Sequence, residues 1–284
     1  MKEKESFDFT VITPTYNAGE TIESCIESVH AQKGVSIEHI IIDGHSQDNT
    51  LPIVRSCRER LDHLKVISEK DQGVYDAMNK GLKSKNSTWV YFLGADDRLA
   101  TDDIFSKVLA YAKRDDFDII HGDVLVHGNT TWAENGRRYD GAFDAERIKY
   151  QSICHQSVFY HRSLIDKTGY FDLKYKICAD WDYNLRCWHE AKIGYLDEVV
   201  AHFYAGGVSS DELGDEPFET DRLGKILSIY DLSSFNKNIV ENFRYHPKLD
   251  IYQKEKNKWR WRFNRYLSFE FYYRSYQKLK KSHS

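Results

Sequence analysis

The chain has 284 residues, 41% hydrophobic and 30% charged, with a formal net charge of −4 at pH 7. That balance is the composition of a globular protein and excludes disordered and low-complexity classes. No stretch approaches the roughly 18 uninterrupted apolar residues of a spanning helix, and Met1-Lys2-Glu3-Lys4-Glu5 lacks the apolar run of a signal peptide, so a cytoplasmic location is expected. Cys25, Cys57, Cys154, Cys178 and Cys187 are odd in number and widely spaced without a C-x-x-C pair, which predicts free thiols rather than zinc ligands or disulfides.

Phe9-Thr10-Val11-Ile12 predicts a first strand whose pairing stops at Thr13-Pro14, because proline has no N–H to donate. After Thr15-Tyr16-Asn17-Ala18-Gly19, the residues Ile22, Cys25, Ile26 and Val29 recur at i, i+3, i+4 and i+7, the spacing of an amphipathic helix. A strand from Ile37 to Ile42, a polar loop from Asp43 to Asn49, a helix to about Asp62 and a strand from Leu64 to Ile67 follow. A helix from Tyr75 to Lys83, a strand from Trp89 to Leu93, a helix from Asp102 to Lys113 and a strand around Asp118-Ile119-Ile120 continue the alternation. This rhythm predicts an α/β domain with a mostly parallel sheet, helices on both faces, and ligands beyond the C-terminal strand ends.

From Val124 to about Ser210 the pattern turns to a less regular α+β extension, with strands at Ser157–Tyr160 and Val199–Phe203 and a helix from Trp181 to Glu190. Residues 1–210 are therefore expected to form one domain, with halves at about 7–123 and 124–210. The acidic segment 211–217 reads as a linker or surface loop, and a largely helical tail completes 211–284. Between Lys254 and Lys281, ten Lys or Arg face only Glu255 and Glu270, a net of +8 on a body carrying −12. Trp259, Phe263, Tyr266, Phe269, Tyr273 and Tyr276 run through it at steps of three or four. Such a stripe suits packing on the domain or an interfacial helix on an anionic membrane surface; no recognition motif supports nucleic acid.

The polar residues that could carry chemistry gather at strand ends. Thr13, Pro14 and Tyr16 offer hydroxyls and a ring for stacking, and Asp43 could accept from an imide N–H such as that of uracil. Asp71 opens D-Q-G-V-Y-D-A-M-N-K-G, where Gly73 lets the backbone approach a ligand and the helix that follows, with Asn79, presents N–H groups to phosphate. Leu93-Gly94-Ala95-Asp96-Asp97 delivers two adjacent carboxylates to a strand tip, a hard-oxygen site for Mg²⁺ or Mn²⁺ bridging a diphosphate. Each cluster alone also reads as a turn or a helix cap. Asp180, at a predicted helix start beside Trp181 as a platform for a sugar face, is placed for general-base work or for capping. His155-Gln156 could bind acceptor hydroxyls or a phosphate, or His155 could be a structural histidine.

In order, T-P-T-Y-N, I-I-I-D-G-H-S-Q-D-N-T, D-Q-G-V-Y-D-A-M-N-K-G and F-L-G-A-D-D resemble the motifs of the family 2 inverting glycosyltransferases of the GT-A fold. The likeness spans about residues 7 to 210 and is strongest to bacterial members that build capsular, O-antigen and exopolysaccharide repeat units. The resemblance implies a nucleotide-sugar donor, a UDP-sugar favoured, with Tyr16 and Asp43 at the base, Asp71 near the ribose or sugar, Asp96 at the donor, and Asp97 on Mg²⁺ or Mn²⁺. It implies Asp180 as the base that deprotonates a glycan or lipid-linked acceptor. It also places His202 where members carry a metal- or diphosphate-binding group ahead of a mobile lid, here Ala205 to Ser210. Two positions depart from the pattern: Gly94 or Ala95 stands where D-x-D begins with an acid, and Ala179 stands where an E-D pair has its glutamate. Those departures keep open a nucleotide-sugar-binding or scaffold subunit, and a sugar nucleotidyltransferase is a further alternative.

Overall fold

A computed structural model describes residues 6–84, 86–189, 191–207 and 215–230. The basic aromatic segment 254–281 and residues 208–214 lie outside the described residues. A compact unit runs from Met1 to Phe235.

Strand β1 (Phe7–Thr15) pairs in parallel with β2 (Ile37–Asp43) on one side and β4 (Ser87–Phe92) on the other, and β2 pairs in parallel with β3 (Leu64–Ser68). The helices α1 (Ile22–His30), α2 (Thr50–Arg60) and α3 (Val74–Gly81) connect these strands, as the alternating pattern predicts. The second half breaks the parallel rule. Strand β8 (Val158–His161) runs antiparallel between β4 and β6 (Ile119–His127), and β9 (Ile193–Tyr204) lies parallel to β6. Two short strands, β5 (Arg98–Leu99) and β7 (Arg138–Tyr139), pair antiparallel to β9 and β6. Among the described residues the sheet is nine-stranded, in the order β3-β2-β1-β4-β8-β6-β9-β5, with β7 beside β6. It is a mixed sheet where a mostly parallel one was expected, because the antiparallel strands all belong to or serve the less patterned second half.

Alternation along β1 shows how the sheet is covered. Phe9 and Val11 enter an aromatic cluster with Tyr91, Phe105 and Phe159, in which Tyr91 stacks on Phe159 at 4.6 Å. Ile12 faces the other way, against α3, and a Cβ on Gly81 would collide with its side chain. That close approach of helix to strand is why a glycine stands there. Each such aromatic ring buries a large apolar area in the core.

Strand β1 does not stop before Pro14: pairing with β2 continues through Pro14–Ile42 to Thr15–Asp43, whereas pairing with β4 ends at Ile12–Phe92. The proline therefore sits where the strand has one neighbour, the local equivalent of an edge, and a missing donor is tolerated.

Helices α4 (Ile104–Ala112), α5 (Arg162–Thr168), α6 (Ala179–Trp188) and α7 (Glu216–Ile229), with short 3-10 turns at Arg147–Lys149 and His155–Ser157, complete the described elements. The expected boundary at 210 falls between β9 and α7, and α7 packs on α6: Phe218 meets Trp181 at 5.2 Å and Lys225 pairs with the buried Asp182. All five cysteines are free. Among the described residues, no helix is long and apolar enough to cross a membrane.

Candidate active site

A cleft of about 410 Å³ opens at the C-terminal ends of β1 and β4. Its walls come from Pro14, Tyr16 and Asn17 after β1, Gly94 to Asp97 after β4, Tyr75 and Met78 on α3, His155-Gln156 before β8, Lys176 and Asp180 around the start of α6, and Phe203 to Gly207 at the end of β9. The sheet thus draws together groups from six separate stretches of chain.

The acidic floor is built around a glycine. A Cβ on Gly94 would lie 2.5 Å from Asp97 Oδ2 and 2.8 Å from Asp96 Oδ1, so both carboxylates curl over its bare Cα. Asp97 is 1% exposed; its Oδ1 accepts the Tyr204 N–H at 2.9 Å and its Oδ2 accepts the Gln156 amide at 2.6 Å. Burial, then the adjacent Asp96 charge, raises its carboxyl to about 7. Burial raises Asp96 as well, while the charge of His155 opposes the rise. Asp96 and Asp97 thus form an acidic pair, half-buried and buried, without an ion pair among the described residues.

Across the cleft stands Asp180, in the first turn of α6. Its Oδ1 accepts the N–H of Trp181 at 2.7 Å and faces the Tyr75 hydroxyl at 3.1 Å, while its Oδ2 lies 3.3 Å from His155 Nδ1. The cap position of α6 belongs to Cys178, which makes no side-chain capping bond, so Asp180 is not the helix cap. Tyr16 stands 65% exposed at the mouth, which leaves a ring face free to stack.

Of the residues singled out from the sequence, Pro14, Tyr16, Asp96, Asp97, His155, Gln156 and Asp180 line this cleft. The others are placed elsewhere. Thr13 is buried, its hydroxyl 3.0 Å from His39 Nε2. Asp43 is fully buried and accepts from the His45 and Ser46 N–H groups and the Ser68 hydroxyl, which folds the loop after β2. Asp71 accepts from Gly73 N–H at 3.0 Å and shapes the turn in which Gly73 has φ +118°. Asn79 both donates to and accepts from the Phe171 backbone, tying α3 to the second half of the chain. Trp181 donates its indole N–H to the Ile148 carbonyl and carries Arg222 over its ring at 4.4 Å, so its face is covered by α7 rather than offered to a sugar. His202 bonds His127 at 2.8 Å and is not among the cleft-lining residues. The imidazole partner stands on the neighbouring strand β6.

Three lining residues carried no signal of their own in the sequence: Tyr75, Lys176 and Tyr204. Tyr75 sits inside the D-Q-G-V-Y motif two residues after Gly73, so the motif located it without revealing that its hydroxyl reaches Asp180. Lys176 and Tyr204 are placed by tertiary structure alone.

Asp96 and Asp97 suit Mg²⁺ or Mn²⁺, which bind through one or two carboxylates together with substrate phosphates and retained waters. Among the described residues, no group of three or more His, Cys, Asp or Glu gathers to hold a metal alone, so the rest of the coordination would have to come from a diphosphate and water.

The profile of Glycosyl transferase family 2 matches residues 10–169. A PGL/p-HBAD biosynthesis glycosyltransferase of Mycobacterium tuberculosis is 35% identical over 215 residues, covering 74% of this chain and 82% of that protein. An uncharacterized glycosyltransferase of the same organism is 29% identical over 210 residues, covering 71% of this chain and 76% of its own length. Among solved structures, S. aureus TarS 1–349 in complex with UDP-GlcNAc superposes with a TM-score of 0.70 at 21% identity, covering 85% of this chain and 74% of that one. The mannosyltransferase PcManGT of Pyrobaculum calidifontis, in complex with GDP-Man and Mn²⁺, gives 0.55 at 15% identity over 81% and 65%. The fold is the α/β GT-A arrangement of these neighbours. With a matching profile across more than half its length and its acidic pair at the strand end facing Asp180, the chain belongs to the family 2 glycosyltransferases.

Proposed function

We propose that this glycosyltransferase is inverting and moves a hexosyl group from a nucleotide sugar, a UDP-sugar favoured, to a hydroxyl of a glycan or lipid-linked acceptor in cell-surface polysaccharide synthesis. The observation that carries this reading is the position of Asp180 on the cleft wall, with Oδ2 toward His155 and away from the bonds made by Oδ1. Oδ2 removes the acceptor hydroxyl proton as that oxygen attacks the anomeric carbon. The new C–O bond forms on the face opposite the diphosphate, the old C–O bond breaks with its electron pair on the phosphate oxygen, and the configuration inverts. Tyr16 stacks on the base at the mouth, and Asp96 and Asp97 sit beneath the diphosphate. A divalent cation held there would supply charge neutralisation for the departing nucleoside diphosphate.

The first half of the chain is proposed to hold the donor and 124–210 to orient the acceptor. Supporting observations are the UDP-GlcNAc and GDP-Man complexes of the two structural neighbours, while the mycobacterial relative's name, in PGL/p-HBAD biosynthesis, supports a cell-surface product. The basic segment 254–281 is proposed to dock on an anionic membrane face, which co-sedimentation with anionic vesicles at low and high salt would test.

Thermal-shift titration against UDP-, GDP- and dTDP-sugars with and without Mn²⁺ tests the donor, with a stabilisation of about 2.7 kcal/mol expected at a hundredfold excess over Kd. Product NMR then tests inversion: retention at the anomeric carbon overturns it. Binding with no transfer to any acceptor would favour a nucleotide-sugar-binding subunit instead.

A further inference from the structure

The charge balance of the cleft is uneven. Its described lining contains three carboxylates, Asp96, Asp97 and Asp180, and among Lys and Arg only Lys176. Lys174, two residues away, is paired with Asp221 at 2.9 Å, and Lys225 is paired with Asp182. Lys176 makes no ion pair among the described residues, although it stands in a cleft rich in acid. Asp180 does not claim it, since that carboxylate faces Tyr75, the Trp181 N–H and His155.

The backbone carrying Lys176 is held on both sides. The buried Asp215 Oδ2 accepts the Ile177 N–H at 2.8 Å and the Cys178 N–H at 3.2 Å, and the Tyr75 hydroxyl donates to the Ile177 carbonyl. On the other flank Tyr175 is fully buried, and its hydroxyl donates to Asp221 at 2.9 Å. A flexible ammonium on an anchored stretch of chain is a preset point charge with a short reach. Lysine binds phosphate in that way, as a point charge rather than a planar fork.

We propose that Lys176 is a phosphate-binding residue of the cleft, its ammonium contacting a phosphoryl oxygen of the donor diphosphate or of a phosphorylated acceptor. The inference rests on the glycosyltransferase reading above and deepens it. A diphosphate entering a site that already holds three carboxylates needs more positive charge than one divalent cation supplies, and the need grows as the nucleoside diphosphate leaves with an extra negative charge. An acceptor bearing a phosphate next to its nucleophilic hydroxyl would meet the same ammonium, because Lys176 stands four residues before Asp180 on the acceptor wall.

The test uses the full chain and its Lys176→Gln and Lys176→Arg variants. Lys176 is exposed, so all three should melt at the same temperature. Calorimetry in Mn²⁺ compares UDP with uridine, and the UDP-saturated protein is then titrated with glucose 1-phosphate. If the contact is to the donor, Lys176→Gln loses about 10- to 100-fold in UDP affinity with uridine affinity unchanged, and Lys176→Arg keeps most of it. If the contact is to the acceptor, UDP affinity is unchanged and glucose 1-phosphate binding is lost. Equal UDP and glucose 1-phosphate affinity in wild type and Lys176→Gln overturns the proposal while leaving the glycosyltransferase reading intact, and so does an arginine variant as weak as the glutamine one. A wild-type protein that binds none of UDP, GDP and dTDP overturns both.

Discussion

Tyr75 and Asp180 lie 105 residues apart in the chain, yet the phenol oxygen stands 3.1 Å from Asp180 Oδ1 while also bonding the Ile177 carbonyl. A side chain from α3, the helix that follows the Gly73 turn, thereby sets the geometry of the candidate base at the start of α6. With Oδ1 facing this hydroxyl and the Trp181 N–H, Oδ2, which has His155 Nδ1 at 3.3 Å, is the oxygen that faces the acceptor in the proposed reaction. Tyr75→Phe keeps the ring against Phe171 at 5.6 Å but removes the hydroxyl. A hydrogen bond to a carboxylate is worth about 1.5 to 3 kcal/mol, so turnover should fall about ten- to a hundredfold with donor Kd unchanged. Initial rates beside calorimetry would check this; a variant that loses donor affinity while keeping kcat would assign the hydroxyl to the donor instead.

Asp180→Asn should leave donor binding nearly intact and reduce transfer by roughly 10² to 10⁴. The replacement is isosteric and can still accept the Trp181 N–H, so α6 should keep its first turn and the melting temperature should hold. Single-turnover transfer to a sugar acceptor is the measurement, and full activity would place the base elsewhere.

The residues that sequence patterns located and those they missed differ in physical kind. Asp96, Asp97, Tyr16 and Asp180 were legible because each follows or begins a periodic element, so strand and helix signals fixed where their Cα atoms lie. The first four strands and the first four helices were legible for the same reason. Side-chain direction was not. Asp43, Asp71 and Asn79 belong to recognisable motifs, but their polar atoms fold loops and join the two halves, and that depends on neighbours distant in sequence. His202 was misplaced because its partner His127 lies on another strand, and Trp181 because α7 returns to cover it. Antiparallel β8 was unreadable as such: a short apolar run carries no information about strand direction.

Asp43→Ala should act through the loop it folds. Its carboxylate accepts from Ser46 N–H, the Ser46 hydroxyl accepts from Asn17 N–H at 2.8 Å, and Asn17 lines the cleft. Loss of charge-assisted bonds at a buried site costs about 1.5 to 3 kcal/mol, so the protein should melt earlier and bind nucleotide more weakly with or without metal. Melting curves and UDP calorimetry in EDTA check both parts. If affinity falls while the melting temperature is unchanged, Asp43 contacts the base directly and the loop explanation fails.

The acidic floor makes a prediction about pH and metal together. The Asp97 carboxyl is raised from 3.8 to about 7, by burial first and by Asp96 second. A carboxyl raised on folding binds its proton more tightly in the folded state, so its contribution to stability is complete below about pH 4 and is lost as pH rises through about 7. The metal-free protein should therefore melt progressively earlier across that window. A divalent cation competes with that proton and answers the same repulsion, so Mn²⁺ should raise the melting temperature more at about pH 8 than at about pH 5. Asp97→Asn keeps an oxygen for the Tyr204 N–H but removes the charge, and should flatten both the pH dependence and the Mn²⁺ response while costing donor affinity in Mn²⁺. Melting curves of the two proteins over this range, with EDTA or Mn²⁺, decide the matter: a Mn²⁺ response of equal size in the variant would move the cation site away from the Asp96-Asp97 pair.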